Sequence, residues 1–340
     1  MKIIGLDGGA TKVSGGIVEQ VNESTFRMID PTIDIQYSDH PNFNPDFSSL
    51  PLDQQTGAKI SKAEYRQGKV FIDCACKVIK SLTGDDPIHA AIAMPGIKTE
   101  NGRGIAAMAN GPRIPDFCDQ LEEAISLRLP IQRLESDADM CAWGEEYGEE
   151  GEFRSVNNAY YLGGGTGTAD GLKLNGTLLP FDEASNWIGK SIKLKMINGK
   201  SLETYTSMSG IHALREFITD DEIGAILGQL IFERISTIYS GWDGLFIIDQ
   251  NLKSDHPYLG TLLDRIVIGQ RLSQFLKSDE GKPTYKAVLK TLTNQCADAH
   301  SAISDHFLVN GEFDSSRIIL SDLRAAPIIG LGAKVWMSQC

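Results

Sequence analysis

The sequence predicts a two-domain α/β protein, on three observations. The chain has 340 residues, too many for one ordinary domain, and its 41% hydrophobic residues can bury two cores. Residues 1–18 and 160–174 each read as strand–turn–strand with a tip of small residues, and each opens one half of the chain. Between them, residues 130–134 read as a short strand that leads straight into a helix.

The first element is an apolar strand that runs into Asp7-Gly8-Gly9-Ala10-Thr11-Lys12 and a second strand from Val13 to Val18. Such a tip shows bare backbone N–H groups and can wrap an anion as a nest. Gly8 and Gly9 permit close approach, and Thr11 and Lys12 add a hydroxyl and a positive charge. Asp7 stands at a strand end, where a carboxylate can hold a hydrated Mg²⁺. The Gly-Lys-Ser/Thr spacing of a Walker A loop is missing, and taken alone the segment is equally a Gly-rich hairpin. Strands near 2–8, 13–18 and 27–36 make a first sheet. Residues 38–62 are polar and rich in Asp, Asn and Ser, so they read as a long excursion, either functional or mobile. A helix follows from Tyr65 to Leu82, then a strand at 88–94 in which His89 reads as packed core. The spacing of Leu121, Ala124, Ile125 and Leu129 predicts a helix over 116–128.

The hinge between domains is expected near 130–137. Ser136 or Asp137 caps the helix that begins there. The alternative for Asp137 is a general base, taking the proton of a hydroxyl as it attacks a phosphoryl group. The second strand–turn–strand surrounds Gly163-Gly164-Gly165-Thr166-Gly167-Thr168, whose hydroxyls lie beside approachable N–H groups. Turn chemistry explains one such hairpin more easily than two. From Ser201 the pattern is largely helical up to a strand at 265–268. Amphipathic helix, a last strand near 317–320 and a closing helix at 325–338 complete the chain, and no internal repeat shows at the residue level.

The net charge of −13 argues against nucleic acid or anionic membranes as general partners, and no stretch is long and apolar enough to span a bilayer. Cys74, Cys76, Cys118, Cys141, Cys296 and Cys340 show no Cys-x-x-Cys spacing. Cys74 and Cys76 lie in an amphipathic helix and read as buried thiols. With no signal peptide, scattered cysteines point to a reducing cytoplasm.

Taken in order, these elements resemble the ROK family of sugar kinases, within the actin–hexokinase–acetate kinase superfamily. Asp7, Gly9, Thr11 and Lys12 match the family's first turn, with Ala10 in place of a Gly. Asp137, Ala138, Gly144 and Glu145 match its Asn-Asp-Ala-Asn and Gly-Glu pattern, with Ser136 and Asp139 in place of the two Asn. Gly165-Thr166-Gly167 with Gly171 matches its second phosphate turn. The strand ending in Pro95-Gly96 and the segment Asn110-Gly111-Pro112 resemble its Pro-Gly strand and sugar-contact segment. Gly199 to Glu203 with Ser207 to Gly210, the turn at Gly269, where Gln270 replaces a second Gly, and the Gly330-Leu331-Gly332-Ala333 helix extend the match over most of the chain.

The resemblance implies a two-domain actin-like ATPase fold, ribonuclease H-like, with an inter-domain cleft. It implies an N-terminal domain at 1–134, on which the closing helix at 325–340 packs back, and a C-terminal domain at 135–324. It implies ATP-dependent phosphorylation of a hexose or amino sugar, glucokinase-like, with Asp137 as general base and Mg²⁺ held by Asp7 through water. Gly8, Gly9, Thr11, Lys12, Gly165, Thr166, Gly167 and Gly269 are expected to bind ATP. Asn110, Asp137, Glu183 and Asn186 are expected to bind the sugar, and a homodimer is among the assemblies expected. No DNA-reading module precedes the strand at Lys2, which favours kinases over the family's repressors. Ser185 and Asn186 stand where the family's Glu-x-Gly-His has Gly and His, and residues 190–200 contain no Cys, so no zinc site is expected. Three alternatives follow from the same residues: a sugar-binding regulator of this fold, a relative of N-acetylglucosamine kinases and activase-type ATPases, and a filament-forming member of the superfamily.

Overall fold

The apolar run at the start of the chain forms β1 (Ile3–Gly8), which turns back antiparallel into β2 (Lys12–Asn22) and β3 (Thr25–Gln36) in a computed structural model that describes residues 3–83 and 89–338. Helices α1 (Leu52–Gln55) and α2 (Lys62–Thr83) lead to β4 (His89–Ala93), which lies parallel to β1. The short strands β5 (Ile97–Lys98) and β6 (Ile105–Ala107), then α3 (Phe117–Ala124) and α4 (Asp137–Tyr147), follow. The sheet order is β3-β2-β1-β4. Alternation decides the faces. Ile4 and Leu6 pack with Val70, Phe71 and Val78 of α2 in one core. Gly5 faces the other way, where the carbonyl of Ile328 stands 2.6 Å from the place a Cβ would take.

These elements form a compact unit of Met1–Glu149 with Ala325–Cys340. It runs past the boundary expected at residue 134, because α4 is packed under the closing helix. Gly144 leaves room for the Ala326 carbonyl, 2.0 Å from where a Cβ would sit, and Gly330 does the same for the Met140 carbonyl at 2.1 Å. Lys334 pairs with Glu135 at 2.6 Å, and the Glu149 N–H donates to the Phe26 carbonyl at 2.9 Å.

The second unit, Glu150–Arg324, repeats the plan of pairing without repeating the residues. Strands β7 (Ala159–Gly164), β8 (Thr168–Leu174) and β9 (Thr177–Leu179) are antiparallel. Helices α5 (Glu203–Thr206), α6 (Met208–Leu214) and α7 (Asp220–Ser240) come next; a Thr219–Glu222 capping box opens α7. Strand β10 (Arg265–Gly269) lies parallel to β7, as β4 does to β1. Then follow α8 (Gln270–Lys277), α9 (Lys282–Ala297), α10 (Ser301–Phe307), the hairpin β11 (Leu308–Val309) and β12 (Glu312–Phe313), and β13 (Ile318–Leu320), parallel to β10. The closing helix is α11 (Ala326–Ser338), and the second sheet runs β13-β10-β7-β8-β9.

Four expectations are corrected. Residues 130–134 form no strand. Pro130 has no N–H to give, the Ile131 N–H goes to the Glu122 carboxylate (2.7 Å) and the Leu134 N–H to the Gly102 carbonyl (2.8 Å). Only Glu135 reaches the ladder, as a bridge to Ala93. Helix α3 stops at Ala124, because Ile125 turns extended and is buried in the core. Residues 241–264 are irregular rather than helical, broken by Gly241, Gly244 and Gly260 at φ of 89°, 79° and 79°. His89 is half-buried rather than packed core. Cys74, Cys76, Cys118, Cys141 and Cys296 are buried thiols in no disulfide; Cys340 and the ends of the strands expected from residues 2 and 88 lie outside the described residues.

Candidate active site

In the first unit, Asp7 lies at the carboxyl end of β1, in register with Ser14 on β2 and Ala93 on β4. Ligands of open α/β sheets gather at such ends. Gly8 is closely packed, since a Cβ there would displace the Met94 side chain. The turn is closed by the Gly9 N–H, which donates to the Lys12 carbonyl at 2.8 Å; the N–H groups of Ala10 and Thr11 lie at the tip outside that bond. Lys12 Nζ is paired with Asp34 of β3 at 2.6 Å.

Asp137 reaches the same end by way of β4. Glu135 extends the β4 edge, its N–H donating to the Ile92 carbonyl (2.9 Å) and its carbonyl accepting from the Met94 N–H (3.1 Å). Helix α4 starts two residues later. Ser136 is its cap, accepting from the Asp139 N–H at 3.3 Å, so Asp137 is the first helical residue and not the cap. The Asp7 carboxyl is pushed up to about 7: burial is the main cause, the charge of Asp137 comes next, Lys12 opposes and Asp34 adds. Asp7 and Asp137 thus belong to one electrostatic site. Its donors fit a hydrated divalent cation, which takes hard oxygen ligands and would relieve the repulsion between the two carboxylates. Asn110 is exposed in the turn after β6, also in the first unit.

In the second unit, the Gly165 N–H donates to the Gly167 carbonyl at 2.9 Å and closes the β7–β8 turn, while the Gly165 carbonyl accepts from the Met208 N–H at 3.0 Å. Thr166 is half-buried. The Thr168 N–H is held by Glu203 Oε1 at 3.1 Å and its hydroxyl meets that of Thr206 at 2.7 Å. Gly269 ends β10 beside Gly163, with the Tyr161 hydroxyl 2.2 Å from the place of a Cβ. Gln270, the residue in place of a Gly, has φ of 60°, the left-handed region where glycine is at no disadvantage. The structure therefore brings Gly165, Thr166, Gly167 and Gly269 to one end of the second sheet.

Glu183 and Asn186 are exposed on the loop after β9. The loop is held from behind by Trp187, stacked on His256 at 4.1 Å, and by the Asn186 carbonyl, which accepts from the Lys253 N–H at 2.8 Å. Beneath it lies a buried ionic centre not expected from the sequence. Arg234 Nη1 donates to Glu233 (2.7 Å) and to the Gly189 carbonyl (2.7 Å), and Nη2 donates to Asp170 (3.1 Å). Asp170 also accepts from the Tyr160 hydroxyl (2.8 Å) and from the hydroxyl and N–H of Ser191 (2.7 and 2.8 Å). Burial opposes the Arg234 charge, but Glu233 and Asp170 outweigh it and hold its pKa above the usual value. The one signal for this centre was an adjacent Glu-Arg pair inside the apolar run Ile231 to Ile235. Glu203 was likewise missed as a site residue; its place beside Gly167 is a tertiary contact.

Together, the two units define a protein of the two-domain actin-like ATPase fold. No family model and no curated protein matches the chain. Solved structures do, over nearly its whole length, and the fold is that of ROK family sugar kinases. The inorganic polyphosphate/ATP-glucomannokinase of Arthrobacter sp. strain KM is 15% identical, covers 99% of each chain and has a TM-score of 0.59. A ROK family glucokinase from Streptomyces griseus, solved with glucose and AMPPNP, is 14% identical over 98% of this chain and 99% of its own, with a TM-score of 0.59. A ROK family transcriptional regulator, a homolog of the E. coli MLC protein, shares the fold at 12% identity and a TM-score of 0.52, over 98% of this chain and 78% of its own. Among the described residues, no helix is long and apolar enough to cross a membrane.

Proposed function

We propose that this protein is an ATP-dependent sugar kinase that phosphorylates a hydroxyl of a hexose or amino sugar. The observation that carries the reading is the Asp7–Asp137 pair at the carboxyl end of the first sheet, with Ser136 relieving Asp137 of the capping role. Asp137 takes the proton of the attacking hydroxyl. Asp7 holds hydrated Mg²⁺, which neutralises phosphate charge when bound. In the first unit the tip N–H groups of the first turn receive nucleotide phosphate; in the second unit the turn at Gly165 to Gly167 does so, with Gly269 at the same end of that sheet. Asn110, Glu183 and Asn186 hydrogen-bond sugar hydroxyls, which need partners when desolvated. The reaction needs no zinc, and the protein works in the cytoplasm.

The test is a coupled ADP-release screen over hexoses, amino sugars and acylated sugars, with and without Mg²⁺. Asp137→Asn should keep sugar binding and lower turnover by ~10²–10⁴. No Mg²⁺-dependent ADP release with any sugar would reject the kinase reading, and a near-normal kcat in the variant would reject Asp137 as base.

One observation favours a second reading, a sugar-binding regulator without turnover. An acidic side chain already stands against each turn, Asp34 on Lys12 and Glu203 on the Thr168 N–H. Sugar binding by calorimetry with no ATP binding would support it.

A further inference from the structure

The excursion after β3 is stitched to the turn that carries Asn110. Tyr37, at its start, is buried and stacked on Phe71 with ring centroids 3.8 Å apart. The Asn44 N–H donates to Gln67 of α2 at 3.0 Å. Ser49 then meets Gly111 in both directions: its hydroxyl donates to the Gly111 carbonyl (2.7 Å) and accepts from the Gly111 N–H (3.1 Å). Gln55 does the same with Met108. Its Nε2 donates to the Met108 carbonyl (2.9 Å) and its Oε1 accepts from the Met108 N–H (2.9 Å). Gln55 is only 2% exposed, and its Nε2 also donates to the Leu50 carbonyl at 2.7 Å.

Two side chains therefore pair with the backbone on either side of Asn110 as a neighbouring strand would. The pairing is anchored further along by Arg113. Its Nε and Nη2 donate to Glu64 at 2.7 and 2.6 Å, and its Nη1 donates to the carbonyls of Gln55 and Ala58 at 2.9 and 2.7 Å. Strand β6 ends at Ala107, so the turn itself has no ladder to fix it. A long polar side chain loses rotamer freedom when it is buried and fully bonded. In return it fixes a backbone segment before any ligand arrives, and pre-organisation of that kind appears as affinity.

We propose that Ser49 and Gln55 are positioning residues that hold the turn at 108–111, and with it Asn110, for the hydroxyls of a hexose. The excursion is thereby the element of the first unit that sets sugar affinity. The proposal rests on the reading of Asn110 as a sugar contact.

The experiment is steady-state kinetics on the full chain with ATP and four sugars: glucose, mannose, N-acetylglucosamine and N-acetylmannosamine. Ser49→Ala removes one hydroxyl from a half-buried site and should fold normally; Gln55→Ala is the stronger variant. Each should raise the sugar KM by about 5- to 30-fold, the worth of one or two hydrogen bonds, with the ATP KM and kcat within about twofold. Ser49→Thr keeps the hydroxyl and should restore the parent KM. Asn110→Ala should raise the sugar KM as well. If Asn110→Ala raises it and neither Ser49→Ala nor Gln55→Ala does, the positioning role is overturned. If both KM values move together, the excursion serves folding only, which also overturns the proposal. If Asn110→Ala leaves the sugar KM unchanged, the sugar-contact reading itself fails, and turnover of none of the four sugars would remove the hexose substrate on which the proposal stands.

Discussion

Replacing Asp7 by Asn should flatten the pH dependence of stability between about pH 4 and pH 7, and the size of the effect follows from the structure. The Asp7 carboxyl moves from 3.8 to about 7 on folding. Below pH 3.8 both states carry the proton, and the group contributes nothing. As the pH rises, the unfolded chain releases it first while the folded chain keeps it, so stability falls by about 1.4 kcal/mol per pH unit. Over the window this sums to about 4 kcal/mol, levelling off once the folded state also ionises. The amide of Asp7→Asn has no proton to lose in this range, so the variant lacks this decline and should be the more stable protein at pH 7.5. Urea unfolding of parent and variant at pH 4.5 and 7.5, in EDTA, isolates the term, because other titrating groups cancel in the difference. Added Mg²⁺ favours the ionised form and should recover stability at pH 7.5 in the parent alone. Asp137→Asn removes the second cause of the shift and should narrow the window. The group that weakens the fold at neutral pH is then also the one the proposed reaction would need, a familiar conflict at active sites. Parallel pH profiles for parent and Asp7→Asn would refute the reasoning.

Three further outcomes are expected. Glu183→Gln should weaken sugar binding by roughly 1.5–3 kcal/mol and ATP binding much less; equal losses in calorimetric titrations of the two ligands would place Glu183 outside the sugar site. At Gln270, φ of 60° disfavours any side chain, so Gln270→Gly should raise stability by up to ~1 kcal/mol and Gln270→Val should lower it by ~1–2 kcal/mol in thermal or urea unfolding. Arg234→Met leaves Asp170 and Glu233 buried without their cation and should cost about 3–5 kcal/mol; a loss below about 1 kcal/mol would mean the centre is hydrated rather than sealed.

Legibility in the sequence followed the physics of each signal. Turns were readable because they favour particular residues: at Gly8 a Cβ would displace the Met94 side chain, and the left-handed φ of Gln270 is one that glycine takes freely. Asp137 was readable as a candidate, but only coordinates could give the cap to Ser136, since either residue could have served. The expected strand at 130–134 failed for a tertiary reason: its N–H groups found partners in Glu122 and Gly102 before they found a sheet. The shared plan of the two sheets was invisible because it lies in strand pairing. Ile4-Gly5-Leu6 and Tyr160-Tyr161-Leu162 hold corresponding places with almost nothing in common.

What remained hidden was polar burial. Gln55 and Glu64 sit in a polar stretch, where the pattern makes them look like solvated surface. Hydrophobic periodicity carries no term for a side chain that is buried by its own hydrogen bonds. The same holds for Asp170 and Ser191, which are brought to Arg234 from separate elements. Both networks lie directly behind segments that carry exposed polar residues, Asn110 in the first unit and Glu183 with Asn186 in the second. A loop that must present a side chain to solvent cannot be fixed by burying that side chain, so its backbone has to be held from behind. In this chain the holding is done by forks and amides, Arg113 and Gln55 in one unit and Arg234 in the other. Such groups hold geometry well, because one missing partner leaves a buried charge or amide unpaired.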